Sequence, residues 1–226
     1  MSISDLFKSH VPGNDKVLPG KYRIACIGDS ITCGYGVNGK TEQTWEYVLN
    51  QELGEKYQVL NYGVNGTTAQ SGTDHPYIRE KIFQKSLECG AEVYLIMLGT
   101  NDANVSNWDR NLFRISYKAL VRKYTELRQK PLVFLMIPPA CFEDPSSGIS
   151  GFGVHPEYLE EAAKIIRQIG KDLEIPVIDL TEATYDHPEW FTDGVHPNAE
   201  GNREIGEYIA EYLRHSELDS MHPANA

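Results

Sequence analysis

Five short runs of apolar residues recur along the chain, and polar residues seldom interrupt them. The runs are continuous instead of alternating between apolar and polar positions, which is typical of strands buried on both faces of a parallel sheet. They span residues 22–27, 57–62, 93–98, 132–137 and 175–180. The pattern therefore predicts five strands in one parallel sheet.

Helical spacing of apolar residues appears between these runs. Residues three and four positions apart share a face of a helix, so such stripes predict helices that pack on the sheet. Strands that alternate with helices predict a single α/β domain with an open, doubly wound sheet. We place this domain at residues 21–215, between an irregular lead-in (1–20) and a tail (216–226). The stripes are Trp45, Val48, Leu49 and Leu53; Leu112, Ile115, Ala119 and Leu127; Leu159, Ala162, Ala163, Ile166 and Ile169; Ile205, Tyr208, Ile209 and Tyr212; and, more weakly, Ile78, Ile82 and Phe83.

Composition and charge limit the classes of partner that this protein is expected to bind. The chain has 226 residues and a net charge of −11, and its basic residues are scattered, so we expect no nucleic-acid partner. It contains no run of about 18 apolar residues and no apolar core near its start, which predicts a cytoplasmic protein without membrane insertion. The four cysteines lack CxxC spacing, and Cys26 and Cys89 are interpreted as small core residues.

The segment "IGDSITCGYGVNGKT" (27–41) matches two nucleotide-binding motifs. Gly34, Gly36 and Gly39 fit the dinucleotide pattern G-x-G-x-x-G, and residues 34–41 fit the phosphate loop. Both motifs need their first glycine directly after a strand, but "GDSITC" intervenes here. Asn61 also stands where the dinucleotide motif needs an acid at the end of the second strand. We therefore interpret the glycines as a turn that crosses the front of the sheet.

Ser30 lies just before these glycines, at the carboxyl end of the first predicted strand. Ligands of open α/β sheets bind at this edge. A serine there is a candidate nucleophile if a base, an acid that orients the base, and oxyanion donors lie at the same edge. The hydrolase elbow G-x-S-x-G is absent from the chain, which disfavours that class of enzyme.

Two histidines have an acid close before them near the last helix. Asp186 and His187 are adjacent, and adjacent side chains of an extended segment point to opposite faces. Asp193 and His196 are separated by Gly194-Val195, and a tight turn there can fold the carboxylate onto the imidazole. We expect Asp193 to accept the Nδ1 proton of His196, which leaves Nε2 to act as the base.

Further expectations complete this edge. The Gly63 N–H, the Asn101 side-chain amide and the Ser30 N–H are candidate oxyanion donors, because each follows a different predicted strand. Pro197 is expected to be the first residue of the last helix. The zinc-binding spacings HxH and HExxH are absent, so we expect no metal and no other cofactor.

Four blocks in this order resemble the SGNH, or GDSL-type, hydrolases: "GDSIT" (28–32), "NYGVNG" (61–66), "GTND" (99–102) and "DGVHP" (193–197). The resemblance implies a flavodoxin-like, three-layer α/β/α fold with sheet order 2-1-3-4-5. It also implies metal-free ester hydrolysis. The named residues of the family fall on Ser30, Gly63, Asn101 and His196, with Asp193 three places before the histidine.

The expected substrate is a small-molecule or oligosaccharide ester, with a short acyl group such as acetyl on a carbohydrate. A lysophospholipase or acyl thioesterase, or a catalytically silent carbohydrate-binding domain, remains an alternative. Residues 138–156 are too long for a simple connection, and both a binding loop and a surface excursion stay open. Candidate substrate contacts are Asp29, Tyr35, Trp108 and Phe152, with Trp190 as a further aromatic residue of the rim.

Overall fold

The computed structural model describes residues 17–37, 40–143 and 150–216. Most of the predicted lead-in and tail therefore lies outside the described residues. Five parallel strands form one sheet in the order β2-β1-β3-β4-β5, which confirms the predicted topology. The strands are β1 (Tyr22–Gly28), β2 (Tyr57–Gly63), β3 (Val93–Met97), β4 (Leu132–Ile137) and β5 (Val177–Asp179).

Helices cover both faces of this sheet. Those with predicted stripes are present, and two short ones, directly after β1 and β5, were not predicted. The helices are α1 (Ser30–Cys33), α2 (Trp45–Leu53), α3 (Lys81–Glu88), α4 (Arg110–Thr125), α5 (Pro156–Leu173), α6 (Leu180–Thr184) and α7 (Ala199–His215). One core cluster joins α3, α4 and α5 to the sheet, and a second joins α2 and α7 to its other face. The fold is thus the expected three-layer α/β/α arrangement.

The predicted buried face of α4 is wrong. Ile115 is 62% exposed, and the helix buries Phe113, Tyr117 and Tyr124 instead. These rings remove more apolar area from water than the aliphatic stripe would. Their hydroxyls are also satisfied, since Tyr117 donates to the Ile96 carbonyl at 3.3 Å and Tyr124 lies 2.9 Å from another hydroxyl.

The last helix begins later than predicted. Asn198 caps α7, because its Oδ1 accepts the N–H groups of Glu200 and Gly201, each at 3.0 Å. Asparagine is among the best residues at this position. Pro197 therefore precedes the cap, and its carbonyl accepts a hydrogen bond from the Asn202 amide at 2.8 Å.

One polar contact joins α2 to α7 inside the core. The buried Asn202 side chain accepts the Trp45 N–H at 3.0 Å. This bond satisfies a backbone donor in the first turn of α2, which the helix itself cannot satisfy. It fixes α2, which follows the glycine-rich turn, against α7, which follows the Asp193–His196 turn.

Glu46, in the first turn of α2, is a buried acid. Neither carboxylate oxygen has a hydrogen-bond partner among the residues that the structure describes. Burial raises the pKa of Glu46 well above its usual value. Its own N–H and the Thr44 hydroxyl favour the charged form without making a full hydrogen bond to the carboxylate, and their effect is smaller than that of burial.

We predict that Glu46→Gln removes a pH-dependent loss of stability. Below the unfolded pKa both states of the wild type are neutral at this residue. As pH rises, the unfolded state ionises first, so stability falls by about 1.4 kcal/mol per pH unit until the folded carboxyl also ionises. In denaturant titrations from pH 4 to pH 8, the free energy of unfolding of the variant should rise relative to that of the wild type. Exposed Glu42→Gln is the matched control, and a pH-independent difference for Glu46→Gln would contradict the prediction.

Candidate active site

Ser30 stands at the start of α1, directly after β1. Asp29 caps this helix, because its carboxylate accepts the Ile31 N–H at 3.0 Å. The N–H of a first helical residue has no partner within its helix. No acceptor for the Ser30 N–H lies within hydrogen-bond distance in the part of the chain that the structure describes. The serine therefore brings both its hydroxyl and its amide to the carboxyl edge of the sheet.

Two paired glycines let α1 lie directly on the sheet. Gly28 and Gly63 are neighbours in register on β1 and β2. A Cβ on Gly28 would come within 2.1 Å of the Thr32 hydroxyl, and one on Gly63 within 2.4 Å of the Cys33 nitrogen. No real side chain tolerates such distances, so both glycines are required for the close approach of the helix that carries Ser30.

The same packing argues against Gly63 as an oxyanion donor. Its N–H donates to the Asn61 side chain at 2.8 Å, so this amide is already used. Asn61 also donates to the Thr32 carbonyl, which ties β2 to α1. The expectation that Gly63 offers its N–H to a ligand is therefore wrong, although the glycine is needed to place Ser30.

His196 and Asp193 form a chain of hydrogen bonds with Ser30. The Ser30 hydroxyl lies 2.8 Å from Nε2 of His196, and Nδ1 of that ring lies 2.8 Å from the Asp193 carboxylate. Ser30 and His196 are only 6% and 5% exposed. The turn forms as predicted, with Gly194 at a φ of +78°. The structure thus brings together three residues that the sequence separates by up to 166 positions.

The Asp193 carboxylate is held in its charged form. Partial burial would raise its pKa, but hydrogen bonds from the His196 ring, the His196 N–H and the Val195 N–H outweigh burial and lower the pKa to about 2. An ionised Asp193 fixes the imidazole so that its other nitrogen faces Ser30. The competing pair is not assembled, since His187 contacts Glu189 at 2.9 Å and stacks on Trp190.

Both described ends of the long 138–156 segment dock on this turn. The Phe142 N–H donates to the Gly194 carbonyl at 2.8 Å, and the Gly151 N–H donates to the Asp193 carbonyl at 3.0 Å. Residues 144–149 lie outside the described residues. The described ends contribute to the walls of the site. The sequence pattern left open whether this segment is a binding loop or a surface excursion.

Two aromatic residues lie against the His196 ring. The Tyr35 centroid is 4.4 Å from it, and Phe152 meets it edge-on at 5.1 Å. The two rings contact each other edge-on at 5.8 Å. Tyr35 belongs to the glycine-rich turn, which thus packs beside the histidine, as expected for a turn that crosses the front of the sheet.

Asn101 follows β3 and points towards the turn after β2. Its amide nitrogen donates one hydrogen bond to the Thr67 carbonyl at 3.0 Å, which leaves the second N–H available. Gly66, the neighbour of Thr67, has a φ of +74°. Within the described ranges, no acceptor satisfies the Gly66 N–H. This amide was not among the predicted donors, although the second glycine of "NYGVNG" was a visible signal.

Two buried aspartates support these loops. Asp102 accepts the N–H groups of Ala69 and Gln70, both at 2.8 Å, and so fixes the loop that continues from Gly66. Burial, opposed by these bonds and reinforced by Asp29, raises the pKa of Asp102 to about 7. Burial also raises the pKa of Asp29 to about 6, against the opposing effects of the Ile31 N–H and His196.

Three proposed substrate contacts do not reach the surface of the site. Asp29 is buried and caps α1, so it cannot touch a substrate. Trp108 packs between α4 and α5, where its ring stacks on Tyr158 at 5.7 Å and its N–H donates to Glu161. Trp190 is buried. These three predictions are wrong because burial or packing holds each side chain; Tyr35 and Phe152 alone of the proposed contacts lie against the histidine.

The described residues provide neither a metal-binding cluster nor a membrane-spanning helix. No group of three or more potential metal ligands occurs among the described residues. None of the helices within the described ranges is both long and apolar enough to cross a membrane. The chemistry available at this edge is that of a serine, a histidine and a carboxylate with nearby amide donors.

Comparison with known proteins identifies the family. The model of the GDSL-like Lipase/Acylhydrolase family matches residues 26–204. An acetylxylan esterase of Xylanibacter ruminicola is 29% identical over 211 residues, which are 85% of this chain and 43% of that protein. The chain thus spans less than half of that relative. A thioesterase 1/protease 1/lysophospholipase L1 of Escherichia coli is 23% identical over 222 residues, 95% of this chain and 96% of that protein.

Solved structures agree on the fold. The carbohydrate acetylesterase Est24 of Sinorhizobium meliloti superposes with a TM-score of 0.71 at 21% identity, over 87% of this chain and 100% of that one. The aryl esterase of M. smegmatis superposes with a TM-score of 0.68 at 23% identity, over 85% and 98%. Because the family match covers most of the chain, as the four sequence blocks predicted, this protein belongs to the GDSL-like lipase/acylhydrolase family.

Proposed function

We propose that the protein is a serine esterase whose nucleophile is Ser30, with His196 as base and Asp193 as the residue that orients it. The observation that carries this proposal is the unbroken chain of hydrogen bonds from the Asp193 carboxylate through both nitrogens of His196 to the Ser30 hydroxyl, each 2.8 Å long. Serine becomes nucleophilic when an adjacent base takes its proton, and an ionised acid keeps that base in the right tautomer.

The reaction proceeds in two steps. The Ser30 oxygen attacks the ester carbonyl while His196 takes the hydroxyl proton. The bond to the alcohol oxygen then breaks, and His196 passes the proton to that oxygen. In the second step, water attacks the acyl carbon while His196 takes a proton from the water. The bond between the Ser30 oxygen and the acyl carbon then breaks, His196 returns the proton to that oxygen, and the acid leaves.

Three donors are placed to bind the oxyanion in this proposal. They are the Ser30 N–H, the second N–H of the Asn101 amide, and the Gly66 N–H in place of the Gly63 N–H. The Gly66 assignment rests on its unused amide and on the bond between Asn101 and the adjacent Thr67 carbonyl. Such donors act without reorganisation during the reaction, because the folded chain already fixes them.

A short acyl group, such as acetyl on a carbohydrate, is the substrate that we propose. Ser30 is only 6% exposed, and a long acyl chain would need an apolar channel that begins at this residue. Cavities of about 450 Å³ along β2 and about 680 Å³ beside Asp193 have neither Ser30 nor His196 in their walls. The resemblance to an acetylxylan esterase agrees with this substrate class.

We expect nitrophenyl acetate to be hydrolysed faster than the butyrate, and the butyrate faster than the octanoate. Ser30→Ala should lower kcat about 10³-fold or more on every ester, because it removes the nucleophile. Ser216→Ala, at the end of α7, is the control. Equal activity of Ser30→Ala and wild type would overturn the nucleophile. A maximum at octanoate would favour the lipid hydrolase, and wild-type binding without turnover would favour a silent domain.

Asp193→Asn should reduce kcat by about 10³ to 10⁴, because an amide cannot hold the imidazole in the required tautomer. The change should also lower stability at pH 6 by about 1–2 kcal/mol. The depressed pKa of Asp193 gives a contribution that is present above the unfolded value near 4 and is lost as pH falls towards 2.

Asp186→Asn is the matched control for this variant, since it alters the rival acid beside His187. Steady-state kinetics and denaturant titrations at pH 2.5 and pH 6 provide the two readouts. If Asp186→Asn lost activity and Asp193→Asn kept it, the assignment of the acid would be wrong.

Asn101→Ala should lower kcat about 10²- to 10³-fold with a small change in KM, because an oxyanion donor acts mainly on the transition state. Asn111→Ala, exposed on α4, controls for the loss of an asparagine. Steady-state kinetics on nitrophenyl acetate would measure both. A change in KM alone would show that Asn101 binds the substrate without stabilising the oxyanion.

A further inference from the structure

Phe152 has an unusual backbone conformation. Among the described residues, three other than glycine have a φ between +20° and +160°: Lys130 at +47°, Phe152 at +60° and Glu174 at +55°. Lys130 and Glu174 are polar residues in turns, and Glu174 caps the end of α5. A bulky aromatic residue in this region is a true outlier. Such strain persists only where the surroundings enforce it, and it clusters at functional sites.

Hydrogen bonds on either side hold Phe152 in place. The Asn104 amide donates to the Phe152 carbonyl at 2.6 Å, and the Val105 N–H donates to the Gly153 carbonyl at 3.3 Å. On the other side, the Gly151 N–H is bound to the Asp193 carbonyl. The residue is therefore fixed between the loop after β3 and the turn that carries the proposed acid.

Core packing does not explain why this residue is a phenylalanine. Its side chain is 54% exposed, and Val105, on the facing loop, is 60% exposed. Glycine or asparagine would adopt the same backbone conformation with less strain. The exposed ring is therefore retained at a conformational cost, next to the proposed base.

The position of the ring indicates what it meets. Phe152 and Tyr35 both border the His196 imidazole, with centroids 5.1 and 4.4 Å away. His196 must pass its proton to the leaving oxygen, so that oxygen must lie within hydrogen-bond distance of Nε2. The atoms of the alcohol that follow this oxygen then lie next to the two rings, whereas the acyl group lies towards the oxyanion donors.

We propose that Phe152, with Tyr35, forms a subsite for the leaving group that selects esters of ring-shaped alcohols, either a pyranose or an aryl ring. This proposal rests on the esterase function proposed above. An aryl ring, or the apolar C–H face of a pyranose, can lie against the exposed face or edge of Phe152; for the aryl ring, such a contact adds to the free energy of simple burial. In this proposal, a small alkyl alcohol reaches His196 without touching Phe152.

The test compares three acetate esters that differ only in the alcohol: ethyl acetate, phenyl acetate and a mono-acetylated methyl pyranoside. In Phe152→Gly, kcat/KM for the two ring esters should fall about tenfold, the size of one aromatic contact, while ethyl acetate changes less than about threefold. Phe152→Tyr should keep the wild-type ratios. Glycine favours a positive φ, so a thermal melt should show that Phe152→Gly folds at least as stably as the wild type.

Glu174→Gly is the matched control. It relieves the same kind of backbone strain at the end of α5, so it should raise stability and leave the ratio of ring to ethyl esters unchanged. A fall on phenyl acetate alone would support an aryl subsite, and a fall on the pyranoside alone a sugar subsite. Equal falls on all three esters, or no fall on any, would overturn the subsite.

A binding measurement separates this proposal from the esterase itself. In a Ser30→Ala background, which cannot turn over the ester, saturation-transfer NMR should report binding of the acetylated pyranoside or phenyl acetate. Adding Phe152→Gly should weaken that binding about fivefold or more. Unchanged binding would overturn the subsite even if Ser30 is the nucleophile. Hydrolysis that survives in Ser30→Ala would overturn Ser30 as the nucleophile and leave the kinetic ratio of ring to ethyl esters to judge Phe152.

Discussion

The contact between the Ser30 hydroxyl and the His196 ring, 2.8 Å long across 166 positions, is the constraint on which the site depends. It requires that the first turn after β1 and the last turn before α7 meet at one edge of the sheet. The core maintains this meeting, because α2 and α7 pack on the same face and Asn202 binds the Trp45 N–H. A shift of either helix would separate the two residues, and a misplacement of about 1 Å is costly to catalysis.

Two glycines on the strands under α1 make the contact between Ser30 and His196 possible. Because Gly28 and Gly63 lack side chains, α1 can rest on β1 and β2 with its first residue at the strand ends. The same closeness forces Asn61 to satisfy the Gly63 N–H, which then faces no ligand. One glycine of "NYGVNG" thus supports the nucleophile, whereas the N–H of the other, Gly66, has no acceptor among the described residues and precedes the Thr67 carbonyl that binds Asn101. The two glycines of this motif therefore have different roles, because the Gly63 N–H is bound by the Asn61 side chain.

Much of the fold was predictable because its signals are local. Strands buried on both faces appear as continuous apolar runs, and the Asp193–His196 turn appears as a short spacing around a glycine. The buried face of α4 was not predictable from aliphatic spacing, since it depends on tyrosines whose hydroxyls find partners on β3 and α3. The predicted roles of Gly63, Asp29 and Trp108 were wrong for a related reason. Long-range packing decides whether a polar group or an aromatic ring near the site points into the site.

Stability and function compete in this structure at separate places. Glu46 is buried without a hydrogen-bond partner among the described residues, so it bonds to neither Ser30 nor His196. Phe152 is strained and exposed, and it lies beside the His196 ring. We expect a buried acid that bonds to neither reacting group to be replaceable without loss of chemistry, whereas strain beside the base persists where the ring contributes to recognition. Direct contact with His196, more than the energetic cost of each feature, therefore indicates which one is retained for function.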